Sequence, residues 1–122
     1  GTRMTKKFFD AGGKTPNVER NCFLIKGKIQ ETLDNFLSEN KNLKINFLHM
    51  DLDTYPSTKF ALTKLKKYLV DGAIVLFDEL YNMEGWKSGE YKALTEVFKE
   101  EEYSFLSFSS EREQVVIKFS KK

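Results

Sequence analysis

The sequence predicts an α/β protein, a mostly parallel sheet layered with helices and carrying an antiparallel edge. Three observations carry that expectation. The runs at 45–50 and 73–77 are short, apolar and rich in branched and aromatic residues, the pattern of buried strands. Between them Ala61, Leu62, Leu65 and Leu69 recur at helical spacing with lysines opposite. Strand, crossover helix and strand make a parallel unit, so both strands leave the sheet at the same edge. The chain closes with two more runs, 103–108 and 114–119, joined at Ser109-Ser110-Glu111, and these read as an antiparallel hairpin.

The elements follow in order. Residues 1–21 are poorly patterned: Gly12-Gly13 and Pro16 mark a loop behind a short strand at 6–9, and the α/β domain is expected at 22–122. Cys22-Phe23-Leu24-Ile25 reads as a strand ended by Lys26-Gly27. Ile29, Leu33, Phe36 and Leu37 then share a helical face, closed by the polar stretch 38–44. After the strand at 45–50, Pro56 argues against an earlier helix start and makes Ser57 or Thr58 the expected N-cap. Asp71-Gly72 is the expected turn into the strand at 73–77. A loop holding Tyr81 and Trp86 leads to a helix at 90–101, with Tyr91, Leu94, Val97 and Phe98 inward. The order is β-α-β-α-β-α-β-β.

Composition narrows the function classes. A chain of 122 residues suits one small domain with a single core. Twenty basic residues against 18 acidic ones leave a net charge of +2, which gives no electrostatic reason to expect nucleic acid or anionic lipid. The lysines at 64–67 and 118–122 read as a solvated face and a tail. The single cysteine, Cys22, has no internal disulfide partner and reads as a buried strand thiol, which fits a reducing, cytoplasmic setting. No apolar stretch reaches the ~18 residues of a membrane span, and no signal-peptide pattern is seen.

The informative residues are acidic. Each central run ends in carboxylates, Asp51-Leu52-Asp53 after the first and Asp78-Glu79 after the second. Ligands of open α/β sheets sit beyond the carboxyl ends of the strands. Four carboxylates converging there would repel one another unless a positive group held them, and a divalent cation is the simplest candidate. His49 shares a strand face with Asp51 if side chains alternate, and reads as a packed, hydrogen-bonded histidine ahead of a ligand or base.

The blocks from Phe47 through Asp51-Leu52-Asp53-Thr54-Tyr55-Pro56-Ser57-Thr58, and from Asp71-Gly72 through Phe77-Asp78-Glu79, resemble the macrocin O-methyltransferase family. Gly89-Glu90-Tyr91-Lys92-Ala93 is similar to its Gly-Glu-x-x-Ala helix start, and Gly27 to Leu33 to its Gly-x-x-x-x-Thr-Leu segment. The resemblance spans 22–119 and implies a Rossmann-like, class I methyltransferase fold, truncated at the N-terminus, with S-adenosylmethionine as cofactor. The Gly-rich turn that follows that class's first strand has no counterpart here. By the same resemblance Asp51, Asp78 and Glu79 would bind Mg²⁺ or another divalent cation, with Asp51 also the base. Glu79 stands where the family more often has Asp. Lys26 and Gly27 would border the adenine, and Asp10 would meet the cofactor ribose.

The implied activity is metal-assisted methyl transfer to a hydroxyl of a small molecule or sugar, with no nucleic acid or membrane partner. The electrophile is already activated, so the protein must supply alignment and a deprotonated oxygen. Asp53 is an alternative base or a support for Asp51; Tyr81 and Trp86 would line an acceptor pocket or staple their loop. Without the glycine turn, cofactor binding by this chain is expected to be incomplete, and a non-catalytic fragment is the alternative. The strand at 45–50 would lack a neighbour, so a homo-oligomer or a rearranged strand order is expected. Asp51-Leu52-Asp53-Thr54 also resembles the motif of haloacid dehalogenase-like phosphohydrolases, although Tyr55 stands where that family has Thr or Val.

Overall fold

The computed structural model describes residues 20–52, 54–78, 89–108 and 114–121. Among the described residues three helices and four strands follow in the order α1 (Ile29–Glu39), β1 (Ile45–Met50), α2 (Tyr55–Leu65), β2 (Leu69–Phe77), α3 (Glu90–Val97), β3 (Tyr103–Phe108) and β4 (Val115–Phe119). The sheet order is β1-β2-β4-β3. β1 and β2 are parallel, while β4 runs antiparallel to both β2 and β3. The hairpin therefore inserts its second strand beside β2 and leaves its first at the rim.

Alternation sorts the sheet into two faces. Leu48, Met50, Ala73, Val75, Phe77, Val115, Ile117 and Phe119 are buried. They form one core with Leu33 and Leu37 of α1, Ala61, Leu62 and Leu65 of α2, and Ala93 and Leu94 of α3. Fully burying each of the larger of these, the leucine, valine, isoleucine, methionine and phenylalanine side chains, stabilises by about 1.5–3 kcal/mol. On the opposite face Ile74, Leu76 and Val116 are half-buried and Phe47 is 41% exposed. Among the described residues β1 pairs only with β2.

Local chemistry explains the helix ends. Asn40 closes α1: its backbone N–H donates to the Leu37 carbonyl and its side-chain amide to the Phe36 carbonyl at 2.8 Å. α2 begins earlier than expected, because Thr54 caps it by accepting from the Ser57 N–H at 3.4 Å. Pro56 does not oppose this start, since first-turn N–H groups lack intrahelical partners anyway. Thr58, expected as a cap, is instead fully buried under the helix. The Tyr55 hydroxyl donates to Glu96, tying α2 to α3.

Other expectations are corrected. Cys22-Phe23-Leu24-Ile25 is not a strand: residues 22–26 are irregular, Cys22 is exposed, and Phe23 is 72% exposed. Four apolar residues gain a ladder only beside another strand, and none of the described strands lies there. Asp71-Gly72 is not a turn before β2 but lies within it. Pairing with β1 jumps from Ile45↔Leu69 to Phe47↔Ile74, and Gly72 absorbs the irregularity at φ +85°. The helix expected at 90–101 stops at Val97, followed by a 3₁₀ turn, Glu100–Glu102. There Glu102 accepts from Lys66 Nζ and from the Lys99 N–H, both at 2.8 Å. The expected strand at 6–9 and the turn at 109–111 lie outside the described residues.

Candidate active site at the carboxyl edge of the sheet

The last parallel pair is Met50↔Phe77, and the Asp78 N–H continues it by donating to the Met50 carbonyl at 3.1 Å. Asp51 and Asp78 are thus the next residues on adjacent parallel strands, at one edge, both half-buried. Alternation sets them on the face opposite the helix-covered core, in the rows of His49 and Leu76. The acidic juxtaposition expected from the sequence is present for this pair. Glu79, Asp53 and Asp10 lie outside the described residues, as do Tyr81 and Trp86.

A third strand contributes a group that the sequence reading missed. Phe77 opposes Val115, which places Gln114 across from Asp78. The Gln114 amide Nε2 donates to Asp78 Oδ1 at 2.8 Å. His49 Nε2 lies 3.9 Å from the same oxygen, too far for a hydrogen bond. That nitrogen is buried and has no hydrogen-bond partner among the described residues. No pattern in the sequence could have flagged Gln114, because its role follows from cross-strand register alone.

The segment before α1 reaches this edge too. Gln30 Nε2 donates to Ser57 Oγ at 2.8 Å, joining the first turns of α1 and α2. Since α2 follows β1, this contact holds the start of α1 at the carboxyl edge, with Lys26 and Gly27 just ahead of it. Lys26 is exposed. Gly27 has φ +134°, and a Cβ there would sit 2.8 Å from Thr32 Cγ2. Glycine is demanded by the backbone at that turn. Among the described residues no group of three His, Cys, Asp or Glu side chains assembles as a metal cluster. No described helix is long and apolar enough to cross a membrane.

A parallel β-α-β unit ending in paired carboxylates, followed by a helix and an antiparallel hairpin, is the architecture of a class I methyltransferase sheet. A family model described as "Methyltransferase domain" matches residues 3–80, and the chain belongs to that family. The apo structure of CalS11, a TDP-rhamnose 3'-O-methyltransferase of calicheamicin biosynthesis, superposes with a TM-score of 0.72 at 30% identity. The match covers 85% of this chain and 43% of CalS11. A second CalS11 structure, described as a calicheamicin methyltransferase, gives the same score and identity, with 40% of that chain covered. The chain therefore spans less than half the length of these relatives. No curated protein matches it. The Rossmann-like fold and the methyltransferase family expected from the sequence are thus borne out.

Proposed function

We propose that this chain is the acceptor-activating part of an S-adenosylmethionine-dependent O-methyltransferase acting on a hydroxyl of a small, sugar-bearing molecule. The observation that carries the reading is the side-by-side exit of Asp51 and Asp78 from adjacent parallel strands. Methyl transfer is an in-line displacement at the sulfonium carbon: the acceptor oxygen bonds to the methyl group as the carbon–sulfur bond breaks. Asp51 takes the hydroxyl proton as that bond forms. Asp78 holds the hydroxyl in line, and Lys26 and Gly27 border the adenine, with Asp10 toward the ribose.

An all-oxygen set of Asp51 and Asp78, with Glu79 next in sequence, fits a hard divalent cation in donor chemistry. When bound, such an ion supplies a lowered pKa to the acceptor hydroxyl. The CalS11 likeness supports a sugar hydroxyl as acceptor. Phe47, 41% exposed on β1, whose outer edge has no partner strand among the described residues, supports self-association as the homo-oligomer expected above.

The test is transfer of labelled methyl from millimolar S-adenosylmethionine to TDP-rhamnose with Mg²⁺ present. Transfer is expected, and Asp51→Asn should lower its rate about 10²–10⁴-fold. Undiminished transfer by both Asp51→Asn and Asp78→Asn would refute the assignment. A second reading, weak cofactor binding by this chain, is favoured by the lack of a Gly-x-Gly turn in the 122 residues. It predicts weaker than micromolar cofactor affinity for the chain alone; calorimetry showing micromolar binding would remove it.

A further inference from the structure

We infer that Gln114 is a positioning residue that holds the Asp78 carboxylate in one orientation at the strand tips. The purpose of this contact rests on the methyl-transfer reading, but its geometry does not. Asp78 ends β2 and Gln114 precedes β4, a strand 36 residues away that register brings directly alongside. The amide donates to Oδ1 at 2.8 Å, and His49 Nε2 stands 3.9 Å from that oxygen. One carboxylate oxygen is thereby pinned, and Oδ2 stays outside this contact.

The choice of an amide has a physical consequence. A lysine or arginine in the same place would form a charge-assisted pair and neutralise the carboxylate. Gln114 donates a hydrogen bond without cancelling the negative charge, so Asp78 stays available to a hydroxyl or a cation while its side-chain torsions are fixed. His49 Nε2 is buried on the same face and has no hydrogen-bond partner among the described residues, so the amide of Gln114 is the group seen to fix that carboxylate oxygen. A site held within fractions of an ångström needs such outer contacts. Sequence alone could not supply this one.

The experiment measures the Asp78 χ1 rotamer by three-bond couplings to its side-chain carbon in isotopically labelled protein. The parent should show a single staggered rotamer, and Gln114→Leu should show averaging over at least two. Asp71, whose Oδ1 accepts from the Lys121 N–H at 2.8 Å, is the internal control and should keep its couplings in both proteins. In the methyl-transfer assay Gln114→Leu should lose about tenfold in kcat with an unchanged KM for S-adenosylmethionine, and Gln114→His should recover part of it. An averaged Asp78 in the parent, a fixed one in Gln114→Leu, or full kcat in that variant overturns the inference. A parent that transfers no methyl contradicts the proposed function instead, and the couplings still decide the case of Gln114.

Discussion

Replacing Gly27 by alanine tests the turn that carries the chain into α1 at the edge of the site. Two penalties are separable. The backbone sits at φ +134°, where a residue with a Cβ is strained by about 1–3 kcal/mol. The new methyl would also lie 2.8 Å from Thr32 Cγ2, against a favourable carbon–carbon separation of about 3.5–4.0 Å. Thr32 cannot simply turn away, because its Oγ1 donates to the Lys28 carbonyl at 3.0 Å. Breaking that bond costs about 1 kcal/mol. Together Gly27→Ala should destabilise by about 3 kcal/mol and lower Tm by roughly 10 °C or more for a domain of this size. Urea and thermal unfolding followed by circular dichroism measure both. In the double variant Gly27→Ala/Thr32→Ser the colliding methyl is gone, so about half the loss should return while the backbone strain remains. A Tm for Gly27→Ala within about 2 °C of the parent would contradict both penalties.

Three further outcomes are expected. Burial pushes the Glu102 carboxyl up, but hydrogen bonds from Lys66 and the Lys99 N–H, with the charges of both lysines, outweigh it and hold the group below its ordinary value. A depressed folded pKa stabilises above the unfolded value of about 4.3 and ceases to do so as pH falls through the folded one. Glu102→Gln should therefore cost about 1–3 kcal/mol at neutral pH, with the urea midpoints of parent and variant converging in acid; a gap independent of pH contradicts this. Thr54→Ala removes the α2 cap and should cost about 1 kcal/mol, whereas Ser57→Ala, which keeps its N–H, should cost less in the same melts. Size-exclusion chromatography with light scattering should find a self-associated species, and Phe47→Lys on the exposed face of β1 should shift it toward monomer; a parent that elutes strictly as monomer counts against that.

The parts of the fold legible in the sequence were those set by local pattern. The apolar runs of β1 and β2 and the stripe Ala61, Leu62 and Leu65 are each buried as their spacing requires. The handedness of the crossover then brought Asp51 and Asp78 to one edge without any knowledge of contacts. What escaped was set by register and by neighbours. Gln114 meets Asp78 only because β4 lies antiparallel beside β2. The Cys22 run has strand-like composition but no strand alongside among the described residues, so composition alone misled. Thr54 displaced Ser57 and Thr58 as the cap because a proline in the first turn is harmless, and Asp71-Gly72 resembles a turn whether it links a helix to a strand or bulges within one.

Asp51 and Asp78 leave neighbouring parallel strands side by side on one face. The most direct measurement is disulfide formation in Asp51→Cys/Asp78→Cys, made in a Cys22→Ser background and oxidised at low protein concentration. Parallel neighbours at one register position have Cα atoms about 5 Å apart, within the range a disulfide bridges. A near-quantitative intramolecular bond is expected, with the circular dichroism of the parent. Two free thiols after oxidation, or only crosslinks between molecules, would contradict it.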